Sequence, residues 1–439
     1  MSTKLAKIAI KAKQNPKTVF TSLYHLLNEE LLLLCHQELE AGKATGVDEV
    51  TKAEYEENLK ENISALVEKL KTHSYRPQPV RRIYIPKGKG KGKGKVRPLG
   101  IPAYEDKLVQ LGLKKILEPI YEAIFLDISY GFRPGLSCHD ALKKLNIVIE
   151  KQKISYVVDA DIKGFFDNVN HEWLMKFIGV NIADPNIKRL IVRFLKAGII
   201  EDGELTATEQ GTPQGAIISP LLANIYLHYV LDLWFMGIIG KHYRINGEAE
   251  IVRYADDYVC CFQYKRAAEI FFHVLKKRLA KFGLALAEDK SKIIEFGRFA
   301  ASNSRRLGRG KPETFDFLGF THYCSTSRKG RFRVKRRTMK KKINAKIVEF
   351  TRWIKLRRNM LTTNEIVDKV KSKLRGHYQY YGITDNSKSI DNFRQAIIRI
   401  LFKWLNRRSQ RKSFIWEKFK KYIIDKHIPK ARICVNIYG

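Results

Sequence analysis

Apolar positions along the chain change period several times, marking helical stretches and short strands in turn. Residues 52–71 carry Tyr55, Leu59, Ile63, Leu66, Val67 and Leu70 at helical spacing, which predicts a helix with one buried face. It begins on Thr51-Lys52-Ala53-Glu54, a string of capping-box form. Residues 19–41 read as an earlier helix. Val80–Pro86 reads as a strand, and the Lys/Gly alternation from Lys87 to Lys95 after it has nothing to bury, so it reads as a flexible basic tongue that touches phosphates. Residues 155–166 open as an apolar strand carrying Asp159 and Asp161. Side chains alternate along a strand, so both acids share one face and spacing does not choose between them. Further on, Gln210–Gln214 and Gly215 form a glycine-bearing loop that lets backbone approach a ligand, and Ser219-Pro220 predicts an N-cap and first helical residue for a helix from Leu221 to about Leu233.

Two further β-type runs, Glu250–Arg253 and Tyr258–Phe262, are joined by Tyr254-Ala255-Asp256-Asp257. This places an acidic pair at the tip of a hairpin. Adjacent carboxylates repel one another and lose hydration unless a cation lies over them, so the pair points to hard divalent ions held by oxygen ligands. Nucleotidyl transfer uses such ions. Taken alone the string also fits a solvated turn; a third carboxylate near residue 160 and a surface for nucleic acid shift the balance.

Charge supplies that surface. Among 439 residues, 82 Lys and Arg against 45 Asp and Glu give a net charge of +37, which self-repulsion would make costly unless a polyanion lay against the protein. The longest apolar runs are too short to span a bilayer, so nucleic acid is preferred over a membrane. With 44% hydrophobic residues the chain can bury a core and form two or three domains. Six cysteines without CxxC spacing, and no visible secretory signal, fit reduced thiols in a cytoplasmic protein. From Arg328 to Lys346 there are eleven Lys or Arg and no acid, with Phe332 inside the stretch and Phe350 and Trp353 beyond it. A basic helix tracking a phosphate backbone is expected there, with Arg331, Arg333, Lys335, Arg336, Arg337, Lys340 and Lys341 as RNA contacts. Arg407, Arg408, Arg411 and Lys412 form a second basic cluster, and Leu374–Gly382 adds aromatics near a break.

Arg97–Pro102, Ser129–Pro134, Asp161–Asp167, Gly211–Ser219, the Tyr254–Asp257 hairpin, Gly283–Lys292 and Phe317–Phe320 occur in an order that resembles the bacterial group II intron reverse transcriptase/maturases. The resemblance runs from about Asn15 to the end. It implies an α+β right-hand polymerase, with fingers and an antiparallel palm sheet over residues 1–325. A helical thumb, the maturase or X region, would follow over 326–439, with little room for an HNH endonuclease. Carried over by motif, the metal ligands fall on Asp161, Asp256 and Asp257, which hold two Mg²⁺ ions. Phe166 matches the aromatic under the nucleotide sugar, Gln214 faces the nascent pair, and Lys290 resembles a lysine near the triphosphate that acts as general acid. Lys87 and Arg97 look like the residues gripping the triphosphate, although the long tongue leaves Lys95 as an alternative to Lys87. Ala287 departs from the family, which usually has Asn there. The implied activity is RNA-directed DNA synthesis on intron RNA, with structured intron RNA, a DNA primer or target and dNTPs as partners, together with help in splicing. A related enzyme recruited to host defence or spacer acquisition is one alternative. The other, a splicing cofactor without polymerase activity, is disfavoured by the complete set of aspartates.

Overall fold

The computed structural model describes residues 3–86, 96–201, 204–207, 209–242, 247–408 and 414–438. Lys87 to Lys95, with both candidate triphosphate lysines, and Arg411 and Lys412 lie outside the described residues. Strands in the first half are β1 (Val80–Pro86), β2 (Val96–Ile101), β3 (Tyr156–Asp161), β4 (Ile199–Glu201) and β5 (Glu204–Thr206). The second half adds β6 (Ala249–Tyr254), β7 (Asp257–Phe262), β8 (Lys292–Glu295), β9 (Phe315–Phe317), β10 (Phe320–Thr326) and β11 (Phe332–Thr338). They form three sheets, ordered β2-β1-β4-β5, β6-β7-β3-β8 and β11-β10-β9. Every pairing in the last two is antiparallel, and helices pack around them, so the fold is mixed α and β.

The middle sheet is apolar on both faces because it separates two cores. Val157, Val252, Val259, Cys261 and Ile294 point into one, which includes the helices Cys138–Lys151, Thr363–Tyr381 and Ser387–Leu405. Val158, Ala160, Ile251, Tyr258, Cys260 and Phe262 point into the other, built on the helices Tyr104–Glu122 and Lys265–Lys281. Strict alternation of polar and apolar residues is therefore absent from β7, and its polar positions collect at the open end of the sheet.

Several elements depart from the pattern expected of the sequence. The capping box at Thr51 forms, with Glu54 accepting from the Thr51 amide at 2.8 Å, but the helix breaks at Asn58 into Lys52–Glu57 and Leu59–Lys71. Over 19–41 only Glu29–Glu38 is α-helical, capped by Asn28 and preceded by a short 3-10 turn. Ser219 is not a cap: it is the first helical residue, and its hydroxyl donates to the Pro213 carbonyl at 2.9 Å. The helix it opens runs to Leu227, widens into a π turn over His228–Asp232, and resumes as Leu233–His242. The basic stretch is not one helix either. It forms β11, paired with β10, before a helix begins at Lys340. Val334, Arg336 and Thr338 are buried, whereas Arg337 is exposed and Arg333 and Lys335 are half-buried, as strand alternation requires. Arg336 thus leaves the set of RNA contacts, because its guanidinium donates to Asn146 Oδ1 inside the protein.

Candidate active site

β3 and β7 lie side by side with Asp161 directly opposite Asp257. Asp256 occupies the two-residue turn between β6 and β7, where Tyr254 faces Asp257. Spacing left Asp159 and Asp161 equivalent, but register separates them: Asp161 ends the strand beside the turn, while Asp159 faces Val259 and Lys292 farther down. The turn places Ala255 at φ 56°, a region that side chains disfavour, so something must hold it. That support is the Arg253 side chain, fully buried, which donates to Asp232 Oδ1 at 2.7 Å and Oδ2 at 2.5 Å. The same guanidinium donates to Asn224 Oδ1 and to the Ala255 carbonyl, each at 3.0 Å. Asn224 in turn donates to the Gly131 carbonyl at 2.7 Å. Gly131 packs so closely that a Cβ there would lie 2.3 Å from the Ala255 nitrogen. Sequence reasoning missed Arg253, Asp232, Asn224 and Gly131 as site residues. The available signal was an arginine inside the apolar run Ile251-Val252-Arg253, since a buried cation demands a buried partner.

Asp256 and Asp257 are held above the ordinary carboxylate range. Asp257 is pushed up to about 7, first by the protein packed around it and then by Asp256, Asp159 and Asp161. Asp257 lies exposed at the sheet end, with the other carboxylates crowded beside it. Asp256 is raised in the same way, by burial and by Asp161, against lowering by the Asp256 amide and by Arg97. Burial also pushes Asp159 up to about 6, with Lys292 opposing it. Lys290 Nζ stands 3.0 Å from Asp161 Oδ2, and this hydrogen bond raises the lysine's pKa. The lysine is brought there by backbone: the Ala287 amide donates to the Asp161 carbonyl at 2.8 Å and the Asp161 amide to Ser291 Oγ at 3.2 Å. The Ala287 departure is consequently harmless to this anchor, which uses no side chain at 287.

Among the described residues no three acids, histidines or cysteines are gathered at ligand spacing. Asp161, Asp256 and Asp257 nevertheless offer an all-oxygen donor set at one sheet end, Asp161 raising the proton affinity of the other two, with an ammonium already drawn to Asp161. These features fit a hard divalent cation, which would relieve the repulsion.

At the turn that follows β3, a cleft of about 290 Å³ is lined by Arg82, Pro98, Phe166, Gly211, Thr212 and Gln214, among others. Phe166 sits half-buried in the 3-10 turn Phe165–Asp167 just after β3. The Thr212 amide donates to the Phe166 carbonyl at 2.7 Å, and the Gly100 amide to the Gln214 carbonyl at 2.6 Å. Gly211, at φ 89°, tolerates no side chain, because a Cβ would lie 2.9 Å from the Asp167 carbonyl oxygen. Phe166 and Gln214 therefore share one wall system. Arg97 is exposed on β2 and acts electrostatically on Asp256, so it belongs to the same side of the molecule.

The remaining basic candidates are not among the residues that line this cleft. Arg331, Arg337, Lys340 and Lys341 are exposed, with Lys341 3.8 Å from Asp316 and Arg337 over the Tyr323 ring. Arg333 lies 3.9 Å from the centroid of Tyr438.

Residues 85–322 match the family described as reverse transcriptase (RNA-dependent DNA polymerase), and residues 339–423 match the group II intron maturase-specific domain. The group II intron-encoded protein LtrA of Lactococcus lactis subsp. cremoris is 36% identical over 306 residues, covering 67% of this chain and 50% of LtrA. Protein YkfC of Escherichia coli is 33% identical over 308 residues, covering 66% of this chain and 78% of YkfC. Nuclear intron maturase 2, mitochondrial, of Arabidopsis thaliana is 26% identical over 179 residues, 32% of this chain and 24% of the relative. The chain thus spans about half the length of LtrA. With the paired aspartates, the hairpin turn and both family matches in one polypeptide, the chain belongs to the reverse transcriptase family, in its group II intron reverse transcriptase/maturase branch.

Proposed function

We propose that this chain is an RNA-directed DNA polymerase encoded by a group II intron, copying intron RNA into DNA and binding that RNA to assist splicing. The reading is carried by one observation: Asp161 pairs with Asp257 at the head of the turn that bears Asp256. Residues 1–325 act as fingers and palm and 326–439 as the thumb or maturase region. Asp161, Asp256 and Asp257 would hold two Mg²⁺ ions, which when bound activate the primer 3′-hydroxyl and stabilise charge on the transferring phosphate and the leaving pyrophosphate. Lys290 stays protonated beside Asp161 and is positioned to give a proton to the leaving group. Phe166 lies under the sugar of the incoming dNTP, Gln214 faces the new pair, and Arg97, with Lys87 or Lys95, neutralises the triphosphate. The exposed cations hold structured intron RNA by phosphate contacts, with DNA primer or target alongside, in the cytoplasm.

Primer extension with an RNA template, a DNA primer, dNTPs and Mg²⁺ tests the polymerase role. Asp256→Asn should lower cDNA synthesis by several orders of magnitude, because it removes charge from the metal site while keeping shape. The same variant should bind intron RNA and support splicing as wild type does. Full cDNA synthesis by Asp256→Asn would overturn the catalytic assignment, and loss of splicing with the fold intact would overturn the separation of the two roles.

A further inference from the structure

Phe132 has an unusual position for an aromatic residue. Its backbone lies at φ 58° and its side chain is 51% exposed, next to the acidic turn. A bulky residue held in the left-handed region is strained by about 1–3 kcal/mol, and glycine would remove that strain. The ring's neighbour is Tyr254, 6.4 Å away between centroids and tilted by 42°, a loose contact for a side chain held in that region.

The strain is imposed from both sides. Before Phe132, the Tyr130 amide donates to the Arg253 carbonyl and the Arg253 amide to the Ile128 carbonyl, each at 2.8 Å. Ser129 thereby pairs parallel to Arg253 on the outer edge of β6. After Phe132, Arg133 is fixed by Glu122 at 3.0 Å and by the carbonyls of Leu126 and Ser129 at 2.9 and 2.8 Å. Because the segment runs parallel to β6 with Gly131 against Ala255, Phe132 emerges level with the turn that carries Asp256. In the sheet order β6-β7-β3-β8 the ring lies beyond β6, whereas Phe166 follows β3. Three strand spacings, about 14 Å, separate the two, so a nucleotide resting on Phe166 is out of reach of Phe132.

We propose that Phe132 is a positioning residue for the nucleic acid: its ring packs on the sugar at the end of the primer strand that meets Asp256 and Asp257, leaving the terminal base face to the incoming nucleotide. This rests on the polymerase reading above, and it adds a contact on the side of the carboxylates away from the nucleotide cleft. An exposed ring laid on a sugar reads no base, so the contact tolerates any primer sequence.

The test measures the dissociation constant for a primer–template duplex by fluorescence anisotropy, with dNTP KM and thermal stability on the same preparations. Phe132→Ala should weaken duplex binding about tenfold and leave dNTP KM unchanged, while Phe132→Tyr binds as wild type. Phe132→Gly should weaken binding equally yet match or exceed wild-type stability, since it relieves the backbone, which a merely structural ring would not do. Wild-type affinity in Phe132→Ala, or equal affinity in Phe132→Leu, overturns the proposal. A wild-type chain that binds duplex with this Phe132 dependence but makes no cDNA overturns the polymerase reading and leaves the ring contact standing.

Discussion

At the scale of single residues, Phe166 and Arg336 show how far a side chain's meaning depends on which way its strand or turn faces. Phe166 is held by backbone at the mouth of the cleft, and its ring contacts Phe165 edge-on at 5.3 Å. Shortening it to Ala removes half-buried surface worth about 1–2 kcal/mol, a tolerable loss, and opens space below the cleft. Phe166→Ala should raise ribonucleotide incorporation roughly ten- to a hundredfold relative to deoxyribonucleotides, without changing the carboxylates. Primer extension with matched dNTP and rNTP series reads this directly, and unchanged discrimination would move the sugar gate elsewhere. Arg336 makes the opposite point. In the run Lys335-Arg336-Arg337 the one sign that the middle cation faces inward is the alternation of Phe332 and Val334 with Arg333 and Lys335, which the polar Thr338 and the density of charge mask.

At the scale of elements, the acidic hairpin was legible because two β-type runs flank a two-residue turn, and the capping box at Thr51 was legible because its hydrogen bonds are local. What was not legible depends on distant partners. The π turn His228–Asp232 leaves no local pattern, yet it accompanies the burial of Asp232 against Arg253, which lies 21 positions on. Register, which assigns Asp161 and not Asp159 to the turn, likewise appears only when β3 meets β7. The buried pair yields a prediction of its own. Arg253→Met strands Asp232 in the core and should destabilise the protein by about 3–5 kcal/mol. Adding Asp232→Leu removes the orphaned charge, so urea denaturation should show most of that stability restored. Turnover should stay low in the double variant, because the Ala255 carbonyl still lacks its donor and the turn bearing Asp256 is no longer held. Full recovery of cDNA synthesis along with stability would show that the guanidinium only fills the core.

At the scale of the whole molecule, two cores share one sheet, and the net charge of +37 is spread over the surface outside them. The second core joins the helix Cys138–Lys151 to the helices after residue 340, so the chain's basic last third is packed onto the carboxylate-bearing sheet. One place concentrates unfavourable charge. The 18-residue helix Lys340–Arg357 begins with three lysines and has no acid in its first turn, which sets cations against the positive end of the helix dipole. An anion there would reverse the penalty, and a phosphate backbone is the anion this protein is proposed to meet. Replacing Lys335, Arg337, Lys340 and Lys341 by Gln should therefore weaken intron RNA binding and flatten the plot of log affinity against log salt, by roughly one unit of slope for each phosphate no longer neutralised. The same change should leave thermal stability equal or higher, since repulsion at the helix start is relieved. Arg336→Gln is the internal control: it should lower stability by disturbing the buried contact with Asn146 and leave the salt slope of the folded protein unchanged. An unaltered slope in the fourfold variant would remove this strand and helix start from the RNA surface, and a flattened slope in Arg336→Gln would mean that β11 opens when RNA binds.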